Sequence, residues 1–180
     1  RIAEVLSKKE AQKVTLSTFH SFCYRLLRQK IDLLGYTKKF SIYDEKDKKR
    51  IIESLLKNHY DDPKKSPPVD EVIKDVDAMR LFSQKSLNDM HEKLLTEFEE
   101  CLKVYNAVDF DSMILLTHKL FDKFPHILEE CHKKYHYIMI DEYQDTSSLQ
   151  HELAEKLSKE KIIKKIASIV GEKKKKRYKK

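Results

Sequence analysis

A parallel α/β sheet interrupted by a helical block is the fold class this sequence predicts, and three observations predict it. Short β-rich runs alternate with longer segments of helical periodicity, no tight-turn signal of the Asn-Gly kind joins two runs into a hairpin, and residues 41–106 carry helical patterning almost throughout. Strands that do not pair through a hairpin need crossover helices, which makes the sheet parallel.

The elements follow in order. Residues 1–8 read as the end of a helix, and 14–17 alternate as a short core strand. Either Thr18 or Ser21 caps the next helix, which runs through Lys30 with Phe22, Leu26, Leu27 and Ile31 on one face and Gly35 as its stop. Residues 40–43 form a short extended run. Asp44 then caps a helix bearing Ile51, Ile52, Leu55 and Leu56, which Pro63, Pro67 and Pro68 bring to an end. Val72, Ile73, Val76, Met79 and Leu81 mark a second helix. Leu87, Met90, Leu94, Leu95, Phe98, Leu102 and Tyr105 mark a third, after Ser86. These three read as a small bundle whose Met and aromatic residues are core. Two more helices follow over 109–124 and 125–134, and the aromatic and β-branched run 136–140 reads as a buried strand. Ser147 with Gln150 makes a capping box for a helix carrying Leu149, Leu153, Ala154 and Leu157, and 166–170 reads as a last buried strand.

At 180 residues and 40% hydrophobic content, the chain is long enough for one domain with an insertion. No apolar run approaches the ~20 residues of a membrane span, and the first residues lack a signal-peptide core. The expected setting is soluble and intracellular, in the cytoplasm or nucleoid, or in a nucleus. Cys23, Cys101 and Cys131 are an odd set without a CxxC, which speaks against a disulfide framework or zinc ribbon. His132 and His136 flank a helix end beside Cys131, a spacing that does not converge on a metal, so a structural role is expected. The net charge of +7 is uneven: 171–180 holds seven of the 37 Lys and Arg and one of the 30 acids, leaving 30 basic against 29 acidic residues elsewhere. A nucleic-acid contact would therefore be a local patch, and the lysine-rich end is either part of one or a solvated tail.

The sharpest feature is where the 136–140 run ends, in the adjacent carboxylates Asp141 and Glu142. At the C-terminal end of a parallel strand this is where α/β sheets place ligands. Alternation along a strand would let one carboxylate hold a hydrated magnesium ion while the other addresses an attacking water. A phosphate-cradling loop needs two glycines five apart before Lys and Ser or Thr, and the only glycines are Gly35 and Gly171. No such loop is present in these 180 residues.

DEYQDT at 141–146 resembles the Walker B element of the UvrD/PcrA/Rep family of superfamily 1 DNA helicases. STFHSFCYRLLR at 17–28 looks like that family's single-strand-contacting motif, FSIYDEKDKKRII at 40–52 like the start of its inserted helical subdomain, and VDFDSMILL at 108–116 like the return to the core. The resemblance implies a RecA-like first motor domain, incomplete here, over 1–40 and 107–180, with a helical insertion over 41–106. It implies ATP and Mg2+ as cofactors, Asp141 on the metal, Glu142 polarising the water, and Gln144 tying the nucleotide site to its neighbours, with Asp145 either sharing that role or capping the next helix. It further implies single-stranded and 3′-tailed duplex DNA as partners, along with the remainder of a helicase chain. Thr18 and Ser21 would meet phosphate and Phe19 or His20 would stack on a base, while Arg25 and Arg28 either assist or are solvated. Ser112 stands where the family usually has an acid, and the chain after Gly171 departs from the family's acidic continuation. The reaction implied is ATP-driven 3′-to-5′ translocation and unwinding in a longer parent, the isolated chain being inactive. The alternatives are the motor of a RecB/AddA-type helicase–nuclease, a non-hydrolysing DNA-binding module, and a metal-dependent nuclease built on the acidic pair.

Overall fold

The computed structural model describes residues 9, 12–82 and 88–158. Helix α1 (Phe19–Lys30) begins where the Thr18 hydroxyl oxygen accepts the Ser21 N–H at 3.1 Å. It tightens into a 3₁₀ turn, Ile31–Leu34, and stops at Gly35, whose φ of 83° lies in the left-handed region. Strand β1 (Ser41–Tyr43) leads to α2 (Glu45–His59), started by Asp44 and Asp47 in a reciprocal capping box. Helices α3 (Val69–Phe82) and α4 (Asp89–Val104) follow, the latter capped by Asn88. Strand β2 (Ala107–Asp109) runs straight into α5 (Phe110–Lys123), capped by Asp109. Helix α6 (Pro125–Lys134) opens on a proline, and α7 (Ser148–Leu157) on the expected Ser147–Gln150 box.

Burial divides these elements between two cores. Ile52, Leu56, Val72, Val76, Leu94 and Phe98 from α2, α3 and α4 form one. Leu27, Phe40, Ile114, Phe121, Ile127 and Leu153 belong to the other, built from α1, α5, α6 and α7. Each such side chain removed from water contributes roughly 1.5–3 kcal/mol. The two cores meet at a parallel pair, β1 with β2, in the register Ser41↔Ala107, Ile42↔Val108, Tyr43↔Asp109. Because successive strand residues face opposite ways, Ala107 buries into the helical core and Val108 into the other.

The same junction carries the buried charges. Arg80 of α3 donates from Nη1 and Nη2 to both carboxylate oxygens of Asp109, at 2.8 and 3.1 Å, and from Nη2 to the Ser112 hydroxyl at 2.6 Å. Burial alone would push the Asp109 carboxyl up, but the hydrogen bonds and charge of Arg80 outweigh it and hold it below the usual range. Beside this pair the buried Lys48 ammonium reaches Asp77 at 3.1 Å and Asp111 at 3.3 Å.

The strands differ from expectation. Residues 14–17 and 136–140 pair with nothing in a ladder among the described residues, and they are irregular. A strand exists by pairing its backbone N–H and C=O groups, so strand-like composition alone does not make one. Val14, Leu16, Tyr137 and Met139 stand exposed, at alternate positions of each segment. The described sheet is instead the short β1–β2 pair. Residues 1–8 and the run 166–170 lie outside the described residues, as do Ser86 and Leu87, and the third helix starts at Asp89.

At Gly35 an added Cβ would sit 3.3 Å from Lys103 Cε, in a backbone conformation that L residues avoid. Gly35→Ala is expected to cost about 1–2 kcal/mol, read as a lower urea midpoint.

Candidate functional site

Helix α1 and the segment between α6 and α7 face each other across a cleft of about 550 Å3. Its walls include Thr18, Phe19 and His20 on one side and Asp141, Glu142 and Asp145 on the other. The α1 wall is set by the Thr18 cap. The Thr18 hydroxyl also donates to Ser21 Oγ at 3.0 Å, and Ser21 is not in the cleft lining. Phe19 and Phe22 are partly buried against the core behind them. Phe22 meets Tyr135 edge to face at 5.9 Å, fastening α1 to the end of α6.

The opposite wall is a turn, not the end of a strand. Asp141 Oδ1 accepts the Glu142 N–H at 3.0 Å, and Glu142 itself adopts φ 49°, ψ 42°. A non-glycine residue in that region is uncommon, and such conformations concentrate at functional sites. The 3₁₀ turn Tyr143–Asp145 follows, closed by Asp145 N–H to Glu142 O at 2.9 Å and by Thr146 Oγ1 donating to Tyr143 O at 2.7 Å. Gln144 Nε2 donates to Glu142 Oε2, which orients the carboxylate. Asp145 therefore belongs to the turn, and the cap of α7 is Ser147. Alternation of faces does not separate Asp141 from Glu142.

Residues that sequence reasoning missed tie this turn to α7 and α7 to the core. The Tyr143 hydroxyl pairs with His151 Nδ1 of α7, and His151 Nε2 lies 3.4 Å from Glu155 Oε1. His118 of α5 donates from Nε2 to the Leu149 carbonyl at 2.9 Å, tying α7 to the core. Only the i,i+4 spacing of His151 and Glu155 was readable in advance, and on the solvent-facing side of a helix it signals little.

Other expectations resolve locally. Arg28 is spent on structure: Nε donates to the Tyr24 hydroxyl at 2.9 Å, Nη1 to the Lys38 carbonyl at 2.6 Å, and the guanidinium lies 4.5 Å over the Phe40 ring. Arg25 is exposed on α1. His132 donates from Nε2 to the Lys156 carbonyl at 2.8 Å, while His136 lies exposed beyond the helix, so the two do not share a site. The cysteines are free, and burial pushes the Cys23 thiol up to about 11. Ser112, the residue in place of an acid, serves the Arg80–Asp109 pair.

A magnesium ion takes one or two protein carboxylates and completes its shell with water and phosphate. Asp141 Oδ1 accepts a backbone N–H, and a carboxylate keeps further lone pairs for a cation, so this donor set fits that pattern. Among the described residues no helix is long and apolar enough to cross a membrane.

The sequence model of the family described as "UvrD/REP helicase N-terminal domain" matches residues 1–178. The ATP-dependent DNA helicase PcrA of Staphylococcus epidermidis is 35% identical over 164 residues, covering 86% of this chain and 22% of the relative. PcrA of Staphylococcus aureus is 34% identical over 158 residues, covering 83% of this chain and again 22% of the relative. The chain thus spans about a fifth of the length of these curated relatives.

Proposed function

Because the chain belongs to the UvrD/REP helicase N-terminal domain family, we propose that it forms part of the first, RecA-like motor domain of an ATP-dependent DNA helicase. Residues 1–40 and 107–180 make up the motor portion and 41–106 its inserted helical subdomain, a division that the two cores support. The observation that carries the reading is the single cleft lined by Thr18, Phe19 and His20 and by Asp141 and Glu142, residues remote in sequence. Coupling of nucleotide hydrolysis to DNA movement is short-range when the two sites are neighbours, and a shared lining supports reading them so.

In this reading Asp141 holds Mg2+, which when bound supplies charge neutralisation at the phosphates of ATP. Glu142 orients the attacking water, and Gln144 fixes the Glu142 carboxylate for that task. Thr18 and Ser21 meet phosphate at the start of α1, and Phe19 or His20 stacks on a base. The substrate is single-stranded or 3′-tailed duplex DNA, the work is 3′-to-5′ translocation and unwinding inside the cell, in cytoplasm, nucleoid or nucleus, and the remainder of the helicase chain supplies the phosphate loop. No glycine pair in these 180 residues can form that loop, so the chain alone binds single strands without hydrolysing ATP.

The test is a titration of fluorescent oligo(dT) into the chain, run beside an ATPase assay. Phe19→Ala is expected to weaken binding by about 1–3 kcal/mol with little sequence dependence, at a thermal midpoint that shows the variant folded. Unchanged affinity would remove Phe19 from the contact, and robust hydrolysis by the chain alone would overturn the reading of it as one part of a larger motor.

A further inference from the structure

A second cavity, of about 340 Å3, opens where the two cores meet. Its lining comes from both sides of that junction: Leu34 and Tyr36 after α1, Arg80 from α3, Leu102 from α4, and Ser112 and Leu116 from α5. The lining is graded by burial. Arg80 and Ser112 are buried, Leu34, Leu115 and Leu116 are half-buried, and the charged residues Glu99, Glu100, Lys103 and Lys119 are exposed. An apolar wall with a few polar groups at this size is the usual form of a small-molecule site.

One buried group in the lining has an unmet need. The Arg80 guanidinium, its side chain 2% exposed, spends Nη1 and Nη2 on Asp109 and Ser112 and lays its face over Phe98. Its Nε–H has no acceptor among the described residues. A buried donor without an acceptor is costly and native structures keep few of them, so this one calls for a partner.

The surrounding charges decide what kind. Asp109 already neutralises Arg80, and the neighbouring Lys48 is matched by Asp77 and Asp111. A carboxylate brought to Nε would therefore be a buried anion without a cation of its own. Among the exposed lining residues two acids stand against two lysines, so no net field selects an ion of either sign. Tyr36 adds a neutral hydroxyl, whose proton is held by burial and by the charges of Glu99 and Asp109.

We infer that this cavity binds an uncharged small molecule, an apolar ring system carrying one carbonyl or ring-nitrogen acceptor. The acceptor takes the Arg80 Nε–H and the ring lies among Leu34, Leu115 and Leu116. Such a molecule touches α3 and α4 of the helical block and α5 of the other core together, which makes it a ligand of their junction. The inference does not depend on the reading of the cleft at Asp141.

Coumarin, a neutral bicycle with a carbonyl acceptor, is the probe. Naphthalene has a similar shape and no acceptor, and naphthoate is the charged counterpart. Titrated into the isotope-labelled chain, coumarin is expected to shift the Arg80 Nε–H resonance, assigned through its own side-chain carbons. It is expected to bind about 10-fold or more tighter than naphthalene, the margin of a hydrogen bond from a charged donor, and tighter than naphthoate. Leu115 belongs to neither core, so Leu115→Trp fills the cavity without emptying a core. That variant is expected to lose coumarin binding at a thermal midpoint close to wild type. An Arg80 Nε–H resonance unmoved by coumarin, equal affinity for naphthalene, or a preference for naphthoate each overturns the assignment. Shifts confined to α1 and residues 141–145 place coumarin in the other cleft and overturn it too. These readouts use the unaltered chain, so the decision stands even if Leu115→Trp fails to fold.

Discussion

Glu142→Gln, introduced into the complete helicase proposed to contain this chain, is expected to lower the maximal ATP turnover by about 100-fold or more while leaving nucleotide binding close to wild type. The magnitude is that of losing a positioned general base or water-orienting charge. The substitution is narrow for reasons visible in the structure. Glutamine retains a carbonyl oxygen to accept from Gln144 Nε2, and it leaves the Asp141–Glu142 backbone bond and the left-handed turn unaltered. What disappears is the negative charge of a residue that lines the cleft. An effect on kcat with the dissociation constant preserved identifies a group that acts in the transition state. Asp141→Asn is expected to raise the magnesium concentration needed for half-maximal activity. Wild-type turnover in Glu142→Gln, measured with and without single-stranded DNA, would remove Glu142 from the role proposed for it.

The helices were legible in the sequence because a helix is a local object. Asp44, Ser147 and Pro125 announce their starts, Gly35 ends the 3₁₀ turn that extends α1, and the apolar spacing in α2, α3 and α4 names the buried face. The strands were legible only in part, 40–43 reading as extended where β1 lies, because a strand is defined by its neighbour. Residues 14–17 and 136–140 have strand composition without a ladder among the described residues. Residues 107–109 form one because residues 41–43 lie alongside. The two halves of the site were likewise readable as motifs, but their meeting across one cleft was not, since only packing brings α1 against the turn before α7. Arg80 looked like an ordinary basic residue in the last turn of a helix, the His151 contact with Tyr143 depends on the path of the turn between them, and Arg28 gave no sign that it would fold onto Phe40.

Arg80→Met is expected to destabilise the chain by about 3–5 kcal/mol, a large fraction of the roughly 5–15 kcal/mol that holds a typical domain together. The side chains of Arg80 and Asp109 are 2% and 3% exposed, so removal of the cation strands a carboxylate that water cannot reach. Methionine fills much of the volume against Phe98, over which the guanidinium lies at 5.3 Å, so the loss reports charge more than cavity. The pair itself is a modest stabiliser, because desolvation offsets its attraction and Arg80 Nε finds no partner among the described residues. The double variant Arg80→Met/Asp109→Asn should therefore recover much of the loss: asparagine still caps α5 and carries no charge. The pH dependence has a definite sign. In the wild type the Asp109 carboxyl titrates below its unfolded value, so its stabilisation is present above the ordinary carboxylate range and is lost as pH falls through the depressed folded value. In Arg80→Met burial, the Ser112 bonds and the charge of the nearby Lys48 remain, and burial, the largest influence, raises that carboxyl, so the variant recovers as the acid form becomes available. The stability gap between the two should narrow on acidification from pH 7 toward the carboxylate range. Urea unfolding of the wild type, the single variant and the double variant at neutral and mildly acidic pH checks all three statements. A single variant within about 1 kcal/mol of wild type, or a double variant no better than the single, would mean that Asp109 finds another partner and that the clamp between the helical block and α5 is made elsewhere.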